Sequence, residues 1–236
     1  MSQAKNLLRN VIAIVLLFLL VGCTTSKVQS IENEPEKIDY SYIRDMYIDV
    51  LQSNVGFYHI RNVFGHDEPF WEYVKLVEHL GLCEIDNVTV WEISQFTFYD
   101  VYNSNVPAVV LEFTPGGDRL VLYYNIGSVY GIFVAFRGMR GITTDGMFHG
   151  SSGAAFTNIS KMQFSSRMFE IIILGESDFN QETMTPIYYI SGEEISPEIW
   201  YSFRNEFFEK EEVLWYEFSN ETIVDDFALA WSKYVR

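Results

Sequence analysis

Between residues 88 and 191 the chain is cut into short β-type runs by Gly, Asn and Asp, and this spacing constrains the fold more than any other feature. The predicted strands are 90–99, 108–113, 119–124, 129–136, 153–164, 168–174 and 187–190. Turn chemistry separates them at Pro115-Gly116-Gly117-Asp118, Asn125-Ile126-Gly127-Ser128 and Thr144-Asp145-Gly146. Connections this short join antiparallel neighbours, because a parallel crossover needs about a dozen residues or more. The expectation is an antiparallel β-meander. The 19 Phe, 15 Tyr and 5 Trp agree with it, since large rings suit pleated, half-buried surfaces.

Helical periodicity flanks the meander. Over residues 38–54, Ile38, Tyr42, Ile43, Met46, Tyr47, Val50 and Leu51 fall on one helical face, opposite Arg44, Asp45, Asp49 and Gln52. A second amphipathic helix is predicted over 68–80, with Pro69 in its first turn, a stripe of Phe70, Trp71, Val74, Val77 and Leu80, and Gly81 as C-cap. Ser196-Pro197-Glu198 supplies an N-cap, a proline and a first-turn acid for a helix reaching about Lys210. Thr222-Ile223-Val224-Asp225 reads as a capping box that opens a last helix ending at Tyr234. The fold class is therefore α+β, with helices packed on one face or end of the sheet.

The first 22 residues have the layout of a secretory signal: Lys5 and Arg9, then an apolar run from Val11 to Val21. That run is too short for a spanning helix, which needs about 20 residues. It closes on Leu20-Val21-Gly22-Cys23, which resembles the lipobox of bacterial lipoproteins. The resemblance implies a diacylglyceryl group on the Cys23 thiol, cleavage after Gly22 and Cys23 as the first mature residue. Two acyl chains hold a protein durably on a membrane, where one does so only marginally. The implied organisation is a signal peptide at 1–22, a lipidated tether at 23–37 and a single globular domain at 38–236, on the extracytoplasmic side of the cell membrane. The tether lacks apolar periodicity. Cleavage removes two basic residues and no acid, moving the formal charge from −16 to −18. Such a surface disfavours nucleic acid as a partner.

A second resemblance covers residues 98–210. The segment from Phe98 through Asp100, Asn103, Asn105 and Pro107 to Leu111 is similar to the D-x-D-G-D-G-x-P-E-L stretch of uncharacterised Gram-positive surface lipoproteins, and Gly150-Ser151-Ser152-Gly153-Ala154 and Ser191-Gly192-Glu193-Glu194 match later segments of that set. The intact stretch looks like a calcium loop, in which alternate carboxylates converge on the ion. Here only Asp100 survives, with Tyr102, Ser104 and Ala108 at the other acidic positions. A tight hairpin is expected instead, with Asn103 and Asn105 in left-handed backbone.

Motifs for chemistry are sparse. Gly150-Ser151-Ser152-Gly153, beside His149, is one residue short of a nucleophile elbow and reads as a turn. His59, His66, Asp67 and Glu68 are the densest group of potential ligands, with His59 and His66 in a loop between the first two helices; no H-E-x-x-H or C-x-x-C fixes them, and they read as surface or capping residues. No metal or cofactor is expected. With Cys23 lipidated, Cys83 stands alone as a buried, inert thiol.

Two functions follow. The first is a non-catalytic lipoprotein that binds a protein or glycan ligand or serves the envelope, with Trp91, Tyr99, Tyr102, Tyr123, Tyr124 and Tyr130 as a stacking platform or as cross-strand pairs. The alternative is a cell-envelope hydrolase using Asp100, Asp145 and His149, each at a predicted strand end.

Overall fold

Alternation along the central strands leaves apolar side chains on both faces, and the computed structural model shows what covers each. It describes residues 38–61, 70–82, 92–102, 104–151, 156–165 and 168–235. Cys23 with its lipobox, His66, Asp67, Glu68, Cys83, Trp91, Asn103, Ser152 and Gly153 lie outside them.

The elements in chain order are α1 (Tyr40–Leu51), β1 (Phe57–Arg61), β2 (Phe70–Val74), α2 (Leu76–Leu82), β3 (Glu92–Tyr99), β4 (Ala108–Thr114), β5 (Arg119–Asn125), β6 (Ser128–Val134), β7 (Met147–Ser151), β8 (Thr157–Ser165), β9 (Met168–Asn180), β10 (Thr185–Ile190), β11 (Glu193–Ile195), α3 (Pro197–Phe208), β12 (Tyr216–Glu217) and α4 (Ile223–Tyr234). They form a seven-stranded sheet, ordered β12-β3-β4-β5-β6-β1-β2, and a five-stranded sheet, ordered β11-β10-β9-β8-β7. The class is mixed α+β with sheet predominating. Two successive antiparallel meanders, β3 to β6 and β7 to β11, replace the single one expected.

Neighbouring side chains on one strand divide between cores. Phe96 and Phe98 both meet Phe227 of α4, Phe98 also meets Trp231, and Tyr47 of α1 meets the same two α4 rings. Tyr99, Val110, Val121 and Tyr130 pack in another cluster with Phe148, Met162 and Phe169 of the second sheet. Met147 points away from that cluster and joins Trp200 and Phe207 of α3. The layers run helices, sheet, sheet, helix, so helices cover both outer faces rather than one. Each fully buried aliphatic or aromatic side chain contributes about 1.5–3 kcal/mol to this arrangement.

Other departures have local causes. Residues 70–74 form a strand, not a helix, because Phe70, Trp71, Tyr73 and Val74 are ring-bearing or branched and find a partner in β1, with Tyr58 opposite Tyr73. Helix α2 is correspondingly short, Gly81 lies inside it and Val77 is exposed. His59 sits on β1 rather than in a loop, buried and directly opposite Glu72. The β1–β2 hairpin docks on β6 in parallel, with Tyr58 beside Tyr130. Gly150 and Ser151 belong to β7, not to a turn. Thr222 makes no capping bond, whereas Asp39 caps α1 by accepting from the Ser41 and Tyr42 amides, and Ser196 caps α3. Among the described residues, no helix is long and apolar enough to cross a membrane.

Candidate functional site

Tyrosine hydroxyls build a groove beside the β3–β4 connection. Residues 100–107 join β3 to β4, and three rings hold this loop. Tyr40 donates to the Asn105 carbonyl at 2.9 Å. Tyr47, fully buried, donates to the Pro107 carbonyl at 2.8 Å and accepts from the Tyr124 amide at 2.7 Å. Tyr123 shares a hydrogen bond of 2.8 Å with Ser104. Burial pushes the Tyr47 and Tyr123 phenols upward, so both stay protonated. Ser104 turns the loop by accepting from the Val106 amide, and Asn105 is not left-handed, contrary to the expectation above.

The turn at Thr143–Gly146 closes against this loop from the second meander. Gly146 has φ +75°, and a Cβ there would lie 2.3 Å from the Asp100 carbonyl oxygen. Tyr99 bolts the contact, donating to the Gly146 carbonyl at 3.0 Å and accepting from the Met162 amide at 2.7 Å. Two residues far apart in sequence, Asp100 and Asp145, thereby line one groove of about 550 Å³ with Tyr40, Tyr102, Ser104, Lys161 and Tyr234. The volume suits a small ligand.

Both carboxylates are engaged. Asp100 accepts from the Tyr234 hydroxyl, a contact that also raises that phenol, although burial is the larger cause. Asp145 accepts from Thr143 Oγ1 at 2.6 Å and from Lys210 Nζ at 2.8 Å. Partial burial works to raise the Asp145 carboxyl but is outweighed by these two donors, which hold it below the ordinary range. It is ionised at neutral pH.

His149 does not join them. Its ring packs against Phe207 and Phe208 of α3, at centroid distances of 5.8 and 5.3 Å. Burial first, then Arg140, Arg204 and Arg119, lower its pKa to about 4. It is a neutral imidazole at pH 7, and among the described residues nothing bonds its Nδ1. The Asp100, Asp145 and His149 grouping is thus split, two in the groove and one against α3. Among the described residues, no three His, Cys, Asp or Glu side chains converge as metal ligands.

The aromatic platform is also divided. Tyr99, Tyr123 and Tyr130 are core residues, while Tyr102 is 44% exposed and faces the groove. Sequence reasoning missed Tyr40, Lys161 and Tyr234, which arrive from α1, β8 and the end of α4; only the tertiary fold brings them together. Comparison of the chain with protein-family models, with curated proteins and with solved structures finds no match.

Proposed function

We propose that this chain is a lipid-anchored extracytoplasmic protein whose globular domain acts by binding a small ligand in the Asp100–Tyr102 groove, not by catalysis. The anchor rests on Leu20-Val21-Gly22-Cys23. One observation carries the binding reading: internal donors hold both oxygens of Asp145 and one of Asp100, while rings and polar groups face the open space. A general acid needs a carboxyl that holds its proton near the working pH, and Asp145 is shifted the other way.

The hydrolase reading keeps one point in its favour, two carboxylates in a single groove. The two readings separate in one assay. Peptidoglycan fragments, oligosaccharides, amino acids and dipeptides are incubated with the full-length protein in detergent micelles, and binding and product formation are both followed. Saturable binding without turnover supports the proposal; turnover lost in both Asp100→Asn and Asp145→Asn supports hydrolysis. The anchor is tested separately, by membrane fractionation of a Cys23→Ser variant, which is expected to leave the membrane.

A further inference from the structure

Resting on the proposal that the groove is a binding site, we infer that its ligand is a small zwitterion, an amino acid or dipeptide, bridging Lys161 and Asp100. Opposite charges face one space: Lys161 acts on Asp145 only at a distance, as one of the smaller influences that lower that carboxyl, and forms no ion pair with it. Among the described residues, no carboxylate lies within 4.0 Å of the Lys161 ammonium; it rests 5.6 Å from the centre of the Tyr102 ring. Its three N–H donors therefore remain for an anion. In the same groove, Asp100 spends one oxygen on Tyr234, and its other accepts no hydrogen bond from a described residue. That oxygen is available to a cationic or N–H group, beside the Tyr102 and Tyr234 rings that favour an ammonium.

Net charge selects further. The chain carries −16 formally, which repels a purely anionic ligand before it reaches Lys161. A purely cationic ligand meets the Lys161 ammonium already placed over Tyr102. A ligand with both groups avoids each penalty and satisfies both free partners. Asp145 contributes no contact in this scheme, because Thr143 and Lys210 hold its two oxygens.

The test is calorimetric titration of the full-length protein in detergent micelles. The probes are L-alanine and alanyl-alanine, with N-acetyl-alanine and alaninamide as analogues lacking one charge each, and maltotetraose and cellotetraose as neutral controls. At least one zwitterion is expected to bind, each singly charged analogue of alanine at least tenfold more weakly. Lys161→Gln should weaken the zwitterion tenfold or more and leave alaninamide bound no more weakly; Asp100→Asn should weaken the zwitterion and leave N-acetyl-alanine bound no more weakly. Alanyl-alanine binding without L-alanine binding assigns the site to peptide ends, and the reverse to free amino acids. Equal binding of blocked analogues, or indifference to Lys161→Gln, overturns the inference. An oligosaccharide that binds and is lost in Tyr102→Ala, with no zwitterion bound, overturns it while the groove stands as a binding site. No binding by any probe overturns both.

Discussion

Tyr99 donates its phenolic hydroxyl to the carbonyl of Gly146 at 3.0 Å, and through this bond the end of β3 holds the turn that carries Asp145. The same oxygen accepts from the Met162 amide on β8. One buried atom thus fixes both sheets to each other beside the groove. Replacing Tyr99 by Phe keeps the ring but strands a buried carbonyl and a buried amide. The expected loss is about 1–3 kcal/mol in urea unfolding, and a variant as stable as the parent would contradict this role.

Gly146 offers a sharper contrast. Its positive φ is shared with Gly127, but a Cβ at Gly127 meets nothing within 4 Å, whereas at Gly146 it meets Asp100 backbone at 2.3 Å. Gly127→Ala should cost about 1 kcal/mol from conformation alone. Gly146→Ala should cost on the order of 3 kcal/mol, adding a clash that the backbone cannot yield to. Equal costs in denaturant titrations would show that the turn does not press on Asp100.

The ion pair of Arg119 and Glu112, at 2.6 Å, lies largely out of solvent beneath Trp215, whose ring centre is 4.9 Å from the guanidinium. Arg119→Met should cost roughly 3 kcal/mol, since it leaves Glu112 charged without its partner. The double variant Arg119→Met, Glu112→Gln should recover part of that loss. Failure to recover any would place the stabilisation in the contacts of Arg119 with Trp215 and the Met139 carbonyl instead.

Acid sensitivity follows from His149. Its folded pKa, about 4, lies below the ordinary value of about 6.5 in an unfolded chain. Between those values the unfolded chain binds the proton and the folded one does not, so stability falls as pH drops through this window. The contribution is fully present above about pH 6.5. The urea midpoint of the parent should fall more between pH 7 and pH 5 than that of His149→Phe, which keeps an aromatic ring against Phe207 and Phe208. Equal falls would assign the acid sensitivity to other groups.

Local pattern accounts for much of the architecture and little of the site. Strands β3 to β6 alternate and turn where Gly116, Gly117 and Gly127 adopt positive φ, and helices α1, α3 and α4 follow helical periodicity. Strands β11 and β12, of three and two residues, are too short to carry a period and form because an edge of β10 or β3 awaits them. The run 70–74 fits both helix and strand, and pairing with β1 decides it. Asp100 and Asp145 stand out as acids at strand ends, but their meeting depends on Gly146 and Tyr99. The arrival of Lys161 and Tyr234 depends on β8 and α4 packing where they do. Long-range contacts of this kind leave no mark in a local window.

The most direct test of the binding reading compares the parent with Tyr102→Ala, an exposed residue whose loss removes a wall of the groove and little of the core. Ligand-observed NMR over mixed pools of saccharides, amino acids and dipeptides is the measurement. The account predicts at least one compound that saturates the parent, is released unchanged, and binds at least tenfold more weakly to Tyr102→Ala at equal thermal stability. A compound chemically converted by the parent, or bound equally well by both proteins, would contradict it.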